Sequence, residues 1–279
     1  MLALTLGLGA ALCWGLHDLL VRYTSAGSNV LGQILVICAT GAPLLLVMSG
    51  ADILRLTPEA ALMAAMAGAS YLVAYFGLYR AFALAPARVI SPMLGAYPLL
   101  SMLVATAAGA VVAPSDWLAV VAVVAGVAVV AALADAGGAG TASTGKALMW
   151  AALGATGFAA TFALGQAASV GGMSLAAGTV TRVSGLVCIL AMLGLQRPSL
   201  TPVRQNWRLL IGMGLLDTAA LALVMRAGGM VHAEYASVAA SLFGVVTIIL
   251  SWAVLGERVR RGQWLGIVLV FAGIGWLAV

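Results

Sequence analysis

The chain alternates long apolar runs with short polar breaks marked by Gly, Pro and charge. The runs fall near residues 2–23, 30–49, 59–84, 87–110 and 114–134, then 146–169, 173–195, 206–227, 232–254 and 262–278. Each supplies roughly the 20 residues that a helix needs to cross a bilayer core. They are continuously apolar rather than alternating in pieces of about ten residues, so the pattern predicts helices and not a barrel. The first run begins without a charged leader and without a small-residue cleavage site closing a short apolar region, so it is expected to be a retained span.

Between the fifth and sixth runs lies Asp135-Ala-Gly-Gly-Ala-Gly-Thr-Ala-Ser-Thr-Gly-Lys146, rich in Gly, Ser and Thr. This composition predicts a flexible linker at 135–145 between halves 1–134 and 146–279. At a fixed offset of 147, Gly109, Val112, Trp117, Leu118, Val121, Ala125 and Gly126 fall on Gly256, Val259, Trp264, Leu265, Val268, Ala272 and Gly273. Aliphatic matches come easily in such a chain, but paired tryptophans and glycines do not. The halves therefore read as an internal repeat. Five helices per copy make the second copy enter the bilayer from the opposite side, and repeats of inverted topology place a substrate site at their interface near the midplane. The expected fold is an all-α membrane protein, with ten transmembrane helices in two inverted-topology five-helix repeats around a central cavity.

Composition agrees and narrows the classes. Of 279 residues, 64% are hydrophobic and 8% charged, with a mean hydropathy of +1.15, whereas a soluble domain carries about 25% charged residues. Too few polar side chains remain to cover a water-soluble core. The net charge of +5 is spread singly along the chain, which argues against a nucleic-acid partner. Cys13, Cys38 and Cys188 are odd in number and lie within apolar runs, so they read as small core residues rather than a disulfide framework or zinc site.

Several local features join this architecture: Trp14-Gly15 in the first run, Ala85-Pro-Ala-Arg-Val-Ile-Ser-Pro92, Tyr97-Pro98, and Leu255-Gly256-Glu257-Arg258 followed by Gln263-Trp264-Leu265-Gly266. In their order, over essentially the whole chain, the sequence resembles the drug/metabolite transporter (DMT) superfamily, in its ten-helix branch built from two EamA-type domains. That resemblance implies a basket of helices around a central cavity, lined by the first four helices of each half and braced by the fifth. Two positions depart from the pattern: Ala110 stands where the second half has Glu257, and His17-Asp18 follows Trp14-Gly15.

Ionisable residues within spans are functional candidates, because a charge near the bilayer centre costs at least about 2.5–3.5 kcal/mol. Arg182 lies midway along the seventh run and Asp217 midway along the eighth. Either they form a structural ion pair between helices, or Arg182 is a bidentate anchor for a carboxylate or phosphate. The two readings combine if a negatively charged or zwitterionic substrate competes with Asp217 for the guanidinium. His17 and Asp18 are adjacent, so they are expected to point about 100° apart with only one facing the cavity. Asp18 and Arg22 are four apart and predict a local ion pair, against proton coupling or cation binding by Asp18; Asp217 is the second candidate proton carrier. Tyr71, Tyr75 and Tyr79 form one helical stripe, either packing or a cavity wall whose rings, with Trp14, stack on a planar or cationic ligand. Tyr97 and His17 complete the candidate substrate-binding set of Arg182, Trp14, His17, Tyr71, Tyr75, Tyr97 and Asp217. Pro92 and Pro98 interrupt the fourth run, as a kink for a gate or for packing alone.

Other chemistry is not encouraged. Gly140-Thr-Ala-Ser-Thr-Gly145-Lys146 approaches a phosphate loop, but Ala147 stands where a Ser or Thr is required and no strand precedes it. Glu257 heads Arg258, Arg260 and Arg261, where a solvated or interfacial ion pair explains it; the resemblance implies a structural cap there. His232 and Glu234 beside Tyr235 open the ninth run at the interface. Two histidines and no clustered carboxylates suggest no metal site and no cofactor, and no nucleophile sits beside a base.

The expected function is a secondary active transporter, an exporter or exchanger, moving a small polar or amphipathic metabolite such as an amino acid, amine or organic anion by alternating access. The rivals are a membrane-embedded enzyme or assembly factor, which needs a catalytic cluster, and a channel, which needs a continuous polar face. A monomer in the cell (inner) membrane, with a small molecule and lipid as its partners, is expected. For orientation, Arg22, Arg80, Arg88, Lys146, Arg197, Arg204, Arg208, Arg258, Arg260 and Arg261 fall in or beside odd-numbered loops and only Arg55 and Arg226 in even ones. This bias puts the odd loops in the cytoplasm and both termini outside; the resemblance implies the reverse.

Overall fold

The fold is that of a computed structural model, which describes residues 2–24, 29–97, 99, 100, 103, 106, 113–134, 141–197, 200–227, 239, 240 and 242–277. Within these residues every regular element is helical. They are α1 (Leu2–Thr24), α2 (Val30–Ser49), α3 (Pro58–Leu84), α4 (Ala87–Gly95), α5 (Pro114–Ala134), α6 (Thr141–Ala168), α7 (Ser174–Gln196), α8 (Trp207–Ala227), α9 (Phe243–Leu255) and α10 (Arg261–Leu277). Short helical turns, Gly50–Arg55, Val170–Gly172 and Thr201–Gln205, lie between them.

The boundaries have local causes. The Asn29 side chain accepts from the amides of Leu31 and Gly32 to cap α2, and the Thr57 side chain accepts from Ala60 to cap α3, which begins on Pro58. Gly256 ends α9 at φ +67°, a left-handed conformation that costs glycine no Cβ clash. Pro92 lies inside α4, which stops at Gly95. Pro98 and Ala110, residues 135–140 of the expected linker, and His232, Glu234 and Tyr235 lie outside the described residues. Residues 141–145, also expected in the linker, form the first turn of α6 instead.

Val30–Arg55, Pro58–Leu84, Thr144–Gly165, Ser174–Gln196 and Trp207–Val224 are each long and apolar enough to cross a membrane, and Pro114–Val130 and Phe243–Leu255 are apolar but shorter. Large apolar side chains such as Leu12, Val47, Leu62, Leu118, Val121 and Leu265 point outward, as lipid requires. Trp117 and Trp276 sit exposed at one end, and Trp207, Trp252 and Trp264 toward the other. This is the double aromatic belt of a membrane protein.

Small residues set the helix contacts. α3 packs along α6 with the Gly77 and Gly154 backbones touching and Gly157 against Ala74, while Gly68 lies on Thr181 and Gly185 of α7. α5 packs on α10 through Gly126 against Gly266 and Gly273 against Ala119. Without a hydrophobic drive between helices in lipid, close backbone approach is the main source of association. α1 lies between α8 and α9, and α2 between α7 and α8. α1, α3, α6, α7, α8 and α9 surround a central space.

Candidate functional site

The central space has a volume of about 400 Å³. Its floor is Asp18 and Leu78, its walls include Trp14, Tyr71, Tyr75, Tyr97, Phe158, Phe162 and Phe243, and it extends to Ser169 and Ser174 at the α6–α7 turn. Trp14 and Asp18 reach it together because they are four apart on α1. On α6, Phe158, Thr161, Phe162 and Gly165 recur at helical spacing and form one wall, which Ser169 continues just past the helix end.

Arg182 and Asp217 are 1% and 2% exposed and form an ion pair. Asp217 is the hub: it accepts from Trp14 Nε1 at 3.0 Å, from Tyr71 Oη at 3.1 Å, from the Tyr75 hydroxyl and from Arg182 Nη2. Arg182 also donates through Nη1 to the Tyr71 hydroxyl and lies over the Tyr71 ring, 4.3 Å from its centre. Cys38 is buried close by. Removing one partner of such a buried pair typically costs about 3–5 kcal/mol. The structural ion pair is therefore present, and the guanidinium is already engaged by groups of the protein, while its Nε has no partner among the described residues.

Below the floor lies a second buried layer. His17 Nδ1 and Asp18 Oδ1 are hydrogen-bonded at 3.0 Å. Only Asp18 of the two lines the cavity, as their spacing led one to expect, although the two side chains also bond to one another. His17 packs beside the Tyr75 and Tyr79 rings and does not line the cavity, so its candidate contact with substrate is not met in this arrangement. Tyr79 likewise belongs to this layer, whereas Tyr71 and Tyr75 line the cavity. The expected Asp18–Arg22 pair is absent among the described residues. Arg22 instead donates through Nε to Glu257 Oε1 at 2.8 Å and through Nη1 to the Phe82 carbonyl at 2.8 Å.

Glu257 is a structural cap, and it also pairs with Arg22, which comes from the other half of the chain. Its Oε2 accepts from the Ala87 amide at 2.9 Å, at the first turn of α4, where a carboxylate meets both an unpaired N–H and the positive end of the helix. One carboxylate thus ties the ends of α1, α3, α4 and α9.

Sequence reasoning missed the α6 wall, although Phe158 and Phe162 with Thr161 between them were a readable stripe. It also missed the Trp14–Asp217 and Arg22–Glu257 links, which join residues 203 and 235 positions apart and leave no local signal.

Comparison with known proteins adds the following. Residues 145–279 match the EamA-like transporter family. A solved crystal structure, described only as a protein, aligns with 98% of this chain and 96% of its own at a TM-score of 0.66 and 16% identity, a likeness that shows the fold alone. No curated protein sequence matches. The chain therefore carries, in residues 145–279, a domain of the EamA-like transporter family, and is a multi-pass membrane protein of the DMT transporter type.

Proposed function

We propose that the protein is a secondary active transporter, an exporter or exchanger in the cell (inner) membrane, that moves a small amphipathic metabolite by alternating access through the central cavity. The observation that carries this reading is the cavity itself, with buried charge and aromatic walls drawn from helices of both halves. Arg182, Trp14, Tyr71, Tyr75, Tyr97 and Asp217 are its substrate wall, and His17 acts behind it through Asp18. Of the two acids, Asp18 is better suited to carry a proton, since Asp217 accepts from four donors.

Ten crossings in two inverted halves, 1–134 and 146–279, are part of the proposal. Its support is the pairing of helices. Exchanging each helix with the one five places along turns α3–α6 into α8–α1, α3–α7 into α8–α2, and α4–α6 into α9–α1, and all of these pairs pack together. The offset of 147 likewise converts the Gly126–Gly266 contact into Gly273–Ala119. Alternating access needs one closed end, and the Arg22–Glu257 cluster beneath the His17–Tyr79 layer suits that role, with the cavity reaching toward the opposite end.

Purified protein in liposomes, loaded with candidate amines, amino acids and organic anions, tests this reading. Saturable flux of at least one candidate, abolished by Tyr75→Ala, is expected. Leak proportional to concentration for every solute favours a channel, and turnover of a solute into a new compound favours an enzyme.

A further inference from the structure

Resting on the transport reading, we propose that the cavity is built for an organic cation, a protonated amine with an aromatic or apolar body, held by the carboxylate of Asp18. The charges surrounding the cavity carry this assignment. Arg182 and Asp217 cancel one another through direct contact. Asp217 is further engaged by Trp14, Tyr71 and Tyr75, so neither member offers a free charge to a ligand. Asp18 differs. It lines the cavity, is 3% exposed, and its Oδ2 has no hydrogen-bond partner among the described residues.

His17 engages one oxygen of this carboxylate and leaves the other open: its Nδ1 faces Asp18 Oδ1, while Oδ2 has no hydrogen-bond partner among the described residues. Burying a carboxylate with an unmet acceptor is costly, and a cationic ligand in the cavity offsets that cost.

The walls match the same ligand. The Tyr71 face is taken by Arg182, but Trp14 meets Phe162 and Phe243 edge-on at 6.4 and 6.3 Å, and Tyr97 lies 5.1 Å from Phe162. These rings form a partial cage above Asp18, and ring faces attract cations and exclude water from the apolar body. An anion in the same place meets the Asp18 carboxylate, while among the described residues Arg182 keeps Nε as its unpartnered nitrogen. This reverses the expectation that Arg182 selects a negatively charged or zwitterionic substrate.

The test uses one aromatic body with three head groups: 2-phenylethylamine, phenylalanine and 3-phenylpropionate. Their affinities for the purified full chain are measured in lipid nanodiscs by tryptophan fluorescence and calorimetry. The expected result is binding of the amine at least tenfold tighter than of the propionate, with phenylalanine between them. Asp18→Asn is expected to weaken the amine at least tenfold, and Asp18→Glu to retain most of its affinity. Equal or tighter binding of the propionate, an unchanged Kd for the amine in Asp18→Asn, or no binding by any of the three overturns the assignment. If Asp18→Asn fails to fold, the head-group series on the native chain decides alone. Asp18-dependent amine binding without flux in liposomes upholds the cation site and removes the transport reading. Flux of the propionate alone does the opposite.

Discussion

At the scale of single residues, the charged pair and its donors set the chemistry. Asp217→Leu leaves the Arg182 guanidinium buried without a counter-charge, and a loss of about 3–5 kcal/mol is expected. The double change Arg182→Leu with Asp217→Leu removes both charges and is expected to recover most of that loss. Thermal unfolding in detergent checks this, and a double variant no more stable than Asp217→Leu argues against the pair as the cause. Tyr75→Phe keeps the ring but removes a donor to Asp217; a cost of about 0.5–1.5 kcal/mol is expected. Much of this site was legible beforehand, because mid-run Arg182 and Asp217 have few explanations in lipid other than each other or a ligand. The Asp18–Arg22 pairing was not, because helical spacing shows which residues can meet on one helix and nothing about a stronger partner arriving from another. Arg22 found Glu257 and the Phe82 carbonyl, and Asp18 turned to His17.

At the scale of elements, glycine divides by what it touches. A Cβ at Gly157 would lie 2.5 Å from the Ala74 amide nitrogen of α3, whereas one at Gly145, on the same helix, would meet nothing within 4 Å. Gly157→Ala is therefore expected to separate α3 from α6 and reduce the yield of monodisperse protein in size-exclusion chromatography. Gly145→Ala is expected to be neutral or to stabilise by about 0.5–1 kcal/mol, since alanine loses less entropy in a helix. Equal behaviour of the two variants would count against backbone contact as the bond between these helices. The helices themselves were readable from apolar runs and their punctuation: α2 and α5 occupy the expected residues, and α1, α3, α7 and α8 fall within one residue of expectation at each end. The start of α6 at Thr141 was not, because Gly, Ser and Thr read as linker when nothing shows that a long helix continues through them.

At the scale of the whole molecule, the contacts gather the ends of helices into two groups. Arg22 with Glu257 and Ala87, Leu133 against Gly262, and Val203 against Gly32 bring the odd-numbered connections to one end. Ser49 with Thr179 and Asp116 with Trp276 belong to the other. Ten of the thirteen basic residues lie in or beside the first group. If the odd loops are cytoplasmic, as this bias implies, a C-terminal alkaline phosphatase fusion is active and a green fluorescent protein fusion is dark; the opposite result places both termini inside. Glu257→Gln weakens the link at the basic end, so a cysteine introduced at Leu78 is expected to react faster with a thiol reagent applied from that side; an unchanged rate removes the cluster as a seal. The same basic end also bears on the surrounding lipid. Cationic side chains ringing one rim, at headgroup depth beside Trp207, Trp252 and Trp264, attract anionic phospholipid at about 1 kcal/mol per Lys or Arg near the surface. On the transport reading proposed above, acidic lipid drawn to this rim would gather around the very helices whose ends must separate for the cavity to open there.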